Sequence, residues 1–286
     1  MTILLRLLMA IALVLAAGGA RAAITCTTIT ATPYTTAYVA NTTNSLQLSF
    51  TISCNRGSTS DPTTLSYTAK ADNGLNAKGV NNQATLVSGG TSYVIGYDVY
   101  TPSCGGGQWK GNQGISGTVT WSANQTGIST DTQTFWGCVN SPTTPGASGA
   151  YTDTIGVTAT YNPGTGNTSV SGTIGVTIYA PASCVINPSP GNVSIIYPAF
   201  SAIAQSATTT FGATCTSPMP YTLSVTPATG TLAGVNYNVN LNTTSATGSG
   251  TLQTFTITVT APPGQGGTCA GPTCTASQVH TLQVSY

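Results

Sequence analysis

Short runs in which apolar side chains alternate with threonine, serine or glycine recur along most of this chain. In NSLQLSFTISC (44–54), for example, every second residue is apolar: Leu46, Leu48, Phe50 and Ile52. Alternate residues of an extended backbone point to opposite faces, so this period of two is typical of a β-strand with one buried face. Because Gly, Pro and Asn turns separate the runs, the sequence predicts an all-β fold.

The first 22 residues have the features of a secretory signal peptide. Arg6 precedes an apolar run at 7–17, and Ala20-Arg21-Ala22 fits a small-x-small cleavage site. We therefore expect a mature protein that begins near Ala23, crosses the inner membrane to the periplasm and the cell surface, and keeps no membrane span. Its length suits two domains better than one.

Charged residues make up only 4% of the chain, and Asp153 is the last of them. Nucleic-acid binding and attachment to an anionic membrane both require clustered cations, so the composition argues against both functions. The charges that usually protect exposed sheet edges from pairing are missing as well. We expect exposed edges in this protein to be used for binding.

All eight cysteines follow the signal peptide, and an even number of cysteines in an exported protein favours disulfides. Similar spacings in the two halves suggest that one bridge occurs twice, although spacing leaves the pairing open. The suggested pairs are Cys26–Cys54, Cys104–Cys138, Cys184–Cys215 and Cys269–Cys274. A zinc site is the alternative, but it is disfavoured because His280 is the only histidine.

The segment at 169–180, SVSGTIGVTIYA, alternates strictly and lies between the two halves. Turn-rich sequences flank it, NPGTGN before and PAS after, so we expect no hairpin partner beside it and a groove elsewhere to accept it. The residues expected to fill that groove are Val170, Ile174, Val176 and Ile178. The alternative is a regular edge strand between two closed sandwiches.

The two halves repeat one order of strands, each beginning at a cysteine-led strand. The closing strands are GAYTDTIGVTATY (149–161) and SQVHTLQVSY (277–286), and in the second of these Val279 is out of step by one residue. Six or seven short strands per half predict two immunoglobulin-like β-sandwiches in tandem. The expected divisions are an N-terminal domain at 23–162, a linker or donor-like strand at 163–180 and a C-terminal domain at 181–286.

These patterns resemble the spore coat protein U domain, which pilins of archaic chaperone-usher pili use. The resemblance rests on the Cys, strand, Cys order, on the Tyr- and Trp-containing strands, and on Gly-x-Tyr-x-Asp-x-Ile-x-Val at 149–157. VTAPPGQ (259–265) is similar to the family's apolar-Pro-Gly-Gln turn. FWGCVNSP (135–142) in the first half departs from it.

In such pili each subunit lacks its last strand, and the N-terminal extension of a neighbour supplies it. The resemblance implies that 169–180 completes the first sandwich. It also implies that the groove of the second sandwich, which ends at Tyr286, is first filled by a periplasmic chaperone. A pilin shaft subunit replaces the chaperone at the outer-membrane usher. With only residues 23–25 ahead of Cys26, we expect the chain to be a tip adhesin. The alternative is a secreted spore-coat or cell-surface matrix protein that forms no fibres.

A Cys104–Cys138 bridge would pin the loops at 104–115 and 134–140 together. Aromatic residues on constrained loops suit binding, because little entropy remains to be lost. The candidates for an exposed adhesive patch are Trp109, Ile115, Phe135 and Trp136. A core position beside the disulfide is the alternative for both tryptophans, but the neighbouring Lys110 favours exposure of Trp109.

Catalysis finds little support in the sequence. His280 is far in sequence from every aspartate, whereas a Ser-His-Asp or Cys-His site would need these groups to converge. Asp61, Asp72 and Asp131 lie in turn-like contexts, and Asp153 suits a role in orienting a turn. We expect no enzymatic activity, no catalytic residues, no metal site and no cofactor.

Overall fold

The structure is a computed structural model that describes residues 24–39, 42–79, 81–111, 113–141, 145–164 and 166–286. The predicted signal peptide at 1–22 lies outside these residues. The described residues form nineteen β-strands. Within the same ranges, no helix is long and apolar enough to cross a membrane.

The first eleven strands form one continuous sheet that curls on itself, and we call this unit the first sandwich. Its main strand order is β1-β3-β9-β6-β5-β10-β11-β2, with β4 joined to β10 and β8, and β7 joined to β6. The strands are β1 (Thr25–Ala31), β2 (Tyr34–Ala37), β3 (Thr42–Arg56), β4 (Thr64–Ala71), β5 (Asn82–Ser88), β6 (Thr91–Thr101), β7 (Gly107–Gln108), β8 (Ile115–Thr120), β9 (Gly127–Ser141), β10 (Gly149–Tyr161) and β11 (Thr168–Ala180).

The remaining eight strands form the second sandwich, which consists of two separate sheets. Its strands are β12 (Cys184–Ile186), β13 (Gln205–Cys215), β14 (Pro220–Thr226), β15 (Thr229–Leu232), β16 (Val235–Leu241), β17 (Ser245–Thr247), β18 (Leu252–Ala261) and β19 (Thr281–Ser285). One sheet has the order β12-β13-β18-β16-β15, and the other has the order β17-β14-β19. The prediction of an all-β fold of two immunoglobulin-like sandwiches is confirmed.

Each sandwich encloses its own apolar core. The first core draws on every strand from β1 to β11 except β7 and includes Phe50, Ile155 and Ile174. The second is smaller and is centred on Phe211 and Phe255, whose rings stack 5.4 Å apart. Many of the apolar side chains packed around the second core remain partly exposed, so this sandwich is less completely closed than the first.

The prediction that the segment at 169–180 has no hairpin partner beside it is wrong. β10 and β11 form a long antiparallel hairpin that pairs Gly149 with Ala180 at one end and Tyr161 with Thr168 at the other. The NPGTGN sequence is the turn of this hairpin. Gly164 has a positive φ of 99°, which only glycine adopts easily, and its N–H donates to Asn162 Oδ1 at 2.8 Å.

The prediction of an exposed aromatic patch is also wrong. Trp109, Ile115 and Phe135 are buried, and Trp136 is half-buried. The Trp109 ring stacks on Phe50 at 5.0 Å, and its Nε1 donates to Ala69 O at 2.8 Å, so the polar end of the indole is satisfied inside the core. Lys110 did not indicate exposure, because it is itself buried against Asp98.

The eight cysteines form four disulfides, which join Cys26 to Cys54, Cys104 to Cys138, Cys184 to Cys215 and Cys269 to Cys274. The first and third of these link the corresponding strands of the two sandwiches, β1 to β3 and β12 to β13. A disulfide between corresponding strands therefore occurs at the start of each sandwich.

A buried arginine fixes two loops at one end of the first sandwich. Arg56, at the end of β3, donates to the carbonyl oxygens of Thr59 and Asp61 in one loop. Its other terminal nitrogen, Nη1, donates to the carbonyl oxygens of Ser122 and Gln125 in the next loop. A charged side chain can be buried here because these carbonyls satisfy its donors.

The two sandwiches are joined by residues 181–183 and also make a backbone contact. Ser217 N donates to Gly146 O at 2.9 Å, and Ser148 N donates to Ser217 O at 3.2 Å. This parallel bridge lies at the end of the first sandwich where β11 finishes.

Candidate strand-exchange site

β11 packs its apolar face into the core of the first sandwich. It lies between β10, to which it is antiparallel, and β2, to which it is parallel. Its pairing with β10 covers the whole strand, and its pairing with β2 covers Val176 to Tyr179. At this end, β11 is therefore an inner strand and not the edge strand that the sequence left as an alternative. Its inward-facing residues Val170, Ile174, Val176 and Ile178 are all buried.

The inward face of β11 contributes much of the stability of the first sandwich. Burying one Val or Ile side chain contributes about 1.5–3 kcal/mol. Four such side chains therefore contribute about as much as the whole net stability of a typical domain, which is about 5–15 kcal/mol. Without β11, this apolar face of the core would be open to water.

In the second sandwich the corresponding position beside the closing strand is empty among the described residues. β19 pairs only with β14, from Thr281 opposite Thr226 to Ser285 opposite Thr222. Its inward-facing Leu282 and Val284 are only half-buried. Ile155 and Val157 of β10, which β11 covers, are fully buried. β19 thus presents an unpaired backbone edge beside a partly open core.

An extended segment at 193–197 has the position in the chain that β2 has in the first sandwich. β2 lies between β1 and β3, the disulfide-linked strands of its sandwich, and 193–197 lies between β12 and β13, which are linked in the same way. Val193, Ile195 and Tyr197 alternate as half-buried residues with exposed neighbours, but the segment joins no sheet of the described chain.

The extended segment is held in place through its last residue. The Tyr197 hydroxyl donates to Pro262 O at 2.8 Å and accepts from Gln265 N at 3.0 Å. Sequence reasoning missed this extended segment, although the alternation of Val193, Ile195 and Tyr197 was a signal for it.

The other residues singled out in the sequence lie at or near the end of the chain. Tyr286 follows β19 and is exposed. Val279 is exposed and precedes β19, so its misfit in the alternation reflects a strand that starts at Thr281. His280 makes structural contacts, with Nδ1 2.6 Å from Pro227 O and Nε2 2.9 Å from the Tyr237 hydroxyl.

The aspartate in the closing strand of the first sandwich fixes a loop. Asp153 Oδ1 accepts from the backbone N–H groups of Leu75 and Asn76, and Oδ2 accepts from the Tyr97 hydroxyl at 2.7 Å. Burial, followed by the hydrogen bond to this carboxylate, raises the pKa of Tyr97 well above its usual range. Asp153 therefore orients the turn between β4 and β5.

Comparison with protein families places the matched region in the first sandwich. The Spore Coat Protein U domain matches residues 10–158. The chain belongs to the Spore Coat Protein U domain family. In this Spore Coat Protein U domain protein, the match ends inside β10, so β11 and the whole second sandwich lie beyond it.

Solved structures similar to this Spore Coat Protein U domain protein include three pilus or fimbrial complexes and adhesins. The CsuC-CsuE chaperone-tip adhesion subunit complex of archaic chaperone-usher Csu pili of Acinetobacter baumannii shares 13% identity, with a TM-score of 0.47, and covers 91% of this chain and 100% of that chain. A chaperone-tip adhesin complex of CFA/I fimbriae biogenesis shares 9% identity, with a TM-score of 0.36, and the match covers 89% of this chain and 96% of that chain. The CupB6 tip adhesin of Pseudomonas aeruginosa shares 12% identity, with a TM-score of 0.32, and the match covers 86% of this chain and 90% of that chain. No curated protein sequence matches this chain.

Proposed function

We propose that this protein is the adhesive tip subunit of an archaic chaperone-usher pilus, and that its second sandwich is completed by a strand from the next subunit. The observation that carries the proposal is the contrast between the two closing strands. β10 is covered by β11, whereas β19 has an unpaired edge. The proposed role is structural and adhesive, without catalysis.

The physical basis of this assembly is β-augmentation. An incoming strand pairs its backbone with the edge of β19, and its alternate side chains enter the partly open core between β19 and the segment at 193–197. β11 is an example of a suitable strand within the same chain, since it carries a buried apolar residue at every second position from Ile174 to Ala180. A shaft subunit supplies such a strand in the proposed pilus.

The position of β11 supports a place at the end of the fibre. A donor strand must be free to leave its own subunit. In the described chain, the extended segment that precedes the second sandwich is β11, which is already paired with β10 along its whole length and with β2 from Val176 to Tyr179. β11 is therefore part of the first sandwich and is not free to enter another subunit. The first sandwich, closed in this way, is available for contact with a target.

Before assembly the open groove needs protection, because an unpaired edge without charged residues favours aggregation. We assign this protection to a periplasmic chaperone, which is exchanged for the shaft subunit's strand at the outer-membrane usher. The exposed Tyr286 lies next to this edge and is a candidate contact for either partner.

A chimaeric chain tests whether the groove accepts a strand. Residues 162–180, which contain the turn and β11, are appended after Tyr286 so that β19 gains a hairpin partner. We expect slower hydrogen exchange in β19 and a Tm of the second sandwich raised by at least about 5 °C, equivalent to about 1 kcal/mol in a domain of this size. Exchange is read by mass spectrometry, and Tm by calorimetry.

A matched control carries Ile174→Ser, Val176→Ser and Ile178→Ser in the appended copy alone. It has the same length and turn but offers no apolar side chains, so we expect neither protection nor a higher Tm. Slow exchange of β19 in the unextended chain without any partner would contradict the proposal. That result would favour the second candidate, a surface coat protein that forms no fibres, which the family's name supports.

A further inference from the structure

Three polar side chains from separate parts of the chain meet inside the first sandwich. Asn82 begins β5, Asp98 lies near the middle of β6, and Lys110 follows β7. Their exposed fractions are 0%, 8% and 9%, respectively. Lysine and aspartate are rarely buried unless they are paired, and in this chain, which is 4% charged, Lys110 and Asp98 are buried as a pair.

The contacts within the cluster set an amine beside a carboxamide and a carboxyl group. Lys110 Nζ lies 2.6 Å from Asp98 Oδ1 and 3.3 Å from Asn82 Oδ1. Gln108 Nε2 donates to the second oxygen of Asp98 at 2.6 Å, which fixes the orientation of that carboxyl group. Lys110 Nζ is therefore next to the side-chain carbonyl of Asn82, which it would attack, and it also contacts the carboxyl group of Asp98, which can accept and donate protons.

The amide nitrogen of Asn82 is poorly accommodated. Asn82 Nδ2 is one of two buried side-chain nitrogen or oxygen atoms in the described residues that make no hydrogen bond. Burial raises the pKa of the nearby Tyr97 hydroxyl, and the Asn82 side chain opposes that rise. Losing this nitrogen would relieve an unsatisfied buried donor.

We propose that Lys110 and Asn82 become joined by an intramolecular amide bond, with release of ammonia and with Asp98 as the catalytic acid-base group. The bond would link β5 to the segment after β7 across the core of the first sandwich. It is independent of the second sandwich and of the proposed role in a pilus.

The chemistry balances without any further reactant. Lys110 Nζ passes a proton to Asp98 and becomes a neutral amine, which attacks Asn82 Cγ while Asp98 returns that proton to Oδ1. Asp98 then carries a proton from Nζ to Nδ2, the Cγ–Nδ2 bond breaks, and ammonia leaves with the remaining proton as ammonium. Asp98 ends as a carboxylate.

The surroundings favour these proton transfers. Burial raises the pKa of Asp98, against the opposing effect of Lys110, and this direction favours transfer of a proton to the carboxylate. The backbone on both sides holds the lysine in place, since Trp109 N donates to Val99 O at 2.8 Å and Lys110 forms a bridge with Ala71. A nucleophile fixed within reach of its target reacts as if at very high concentration.

Denaturation, reduction and alkylation of the purified full chain, followed by trypsin digestion and mass spectrometry, test the bond, because unfolding makes the buried Lys110 accessible to the protease. No Lys or Arg follows Lys110, so an unmodified chain yields two separate peptides, 79–110 and 111–286. A linked Lys110 resists trypsin, and we expect a single fragment, 79–286, lighter by about 17 Da, the mass of ammonia. Cleavage after Lys78 in the same sample shows that the protease is active.

The matched variant is Asp98→Asn, which keeps the size of the side chain and removes the acid-base group. We expect it to restore cleavage at Lys110 and the unmodified mass, with circular dichroism used to establish that it is folded. Complete cleavage at Lys110 in the wild-type chain, with 79–110 at its unmodified mass, would overturn the proposal. Lys110 and Asp98 would then be an ordinary buried ion pair.

Discussion

Replacing Ile174 with aspartate is expected to prevent stable folding of the first sandwich. Ile174 is fully buried in β11, opposite Ile155 of β10. A carboxylate at this position would be buried without a partner and would remove apolar packing. We expect a loss of about 5 kcal/mol or more, which reaches the lower limit of the total stability of a typical domain.

Tryptophan fluorescence during urea unfolding measures this effect selectively. The three tryptophans of the chain, Trp109, Trp121 and Trp136, all lie in the first sandwich, so their fluorescence does not report on the second. We expect Ile174→Asp to give the emission of unfolded protein even without urea.

The control for this change is Ser171→Asp on the outward face of the same strand. Ser171 is exposed and contacts the Thr158 hydroxyl at 3.1 Å. A charge there stays in water, so we expect a change within about 0.5 kcal/mol. Equal stability of the Ile174→Asp and Ser171→Asp variants would show that β11 is not required to complete the first sandwich.

Replacing Trp109 with alanine is expected to destabilise the first sandwich by about 3–5 kcal/mol. The change removes the ring between Phe50 and Phe135, which lie 5.0 and 4.9 Å from it, and leaves Ala69 O without its donor. Fluorescence of the remaining tryptophans in urea gives the shift in the unfolding midpoint.

Trp136→Ala is the matched comparison, because Trp136 is only half-buried on the neighbouring position of the same strand as Phe135. We expect it to cost about 1 kcal/mol, a typical value for a single substitution. If Trp109→Ala left the unfolding midpoint unchanged while abolishing adhesion, the buried position of this ring would be contradicted and a direct role in binding would return.

Alternation predicted the strands well where one face is buried along their whole length. The closing strand of the first sandwich has the predicted bounds, Gly149–Tyr161, and its inward residues are the predicted ones. In β3, Leu48, Phe50 and Ile52 are buried as expected, but Leu46 is more exposed. At that end, burial depends on what covers the strand, which a local pattern does not contain.

Contacts between distant residues account for the failures. The sequence predicts that Lys110 is exposed, since a lysine usually lies at the surface. It is buried instead, because the pairing of β6 with β7 brings its partner Asp98 to it. Arg56 is buried because two loops supply carbonyl oxygens to it. A charged residue in a sequence is expected on the surface unless its partners are known, and these partners are set by the tertiary structure.

The candidate site was predictable only in part, for the same reason. The alternation in 169–180 indicated a strand with an apolar face, but its pairing with β10 depended on recognising NPGTGN as a reversing turn. The open edge of β19 could not be derived from its own residues. It follows from the absence, in the described second sandwich, of a strand that corresponds to β11.

The short connection between the sandwiches has a mechanical consequence. Tension transmitted through the second sandwich would reach the first at Ala180, the last residue of β11. The tension would then act along the axis of β11, which pairs with β10 over 13 residues. Hydrogen bonds of an antiparallel ladder lie across the strands, so such a load strains them together in shear rather than peeling them apart one by one.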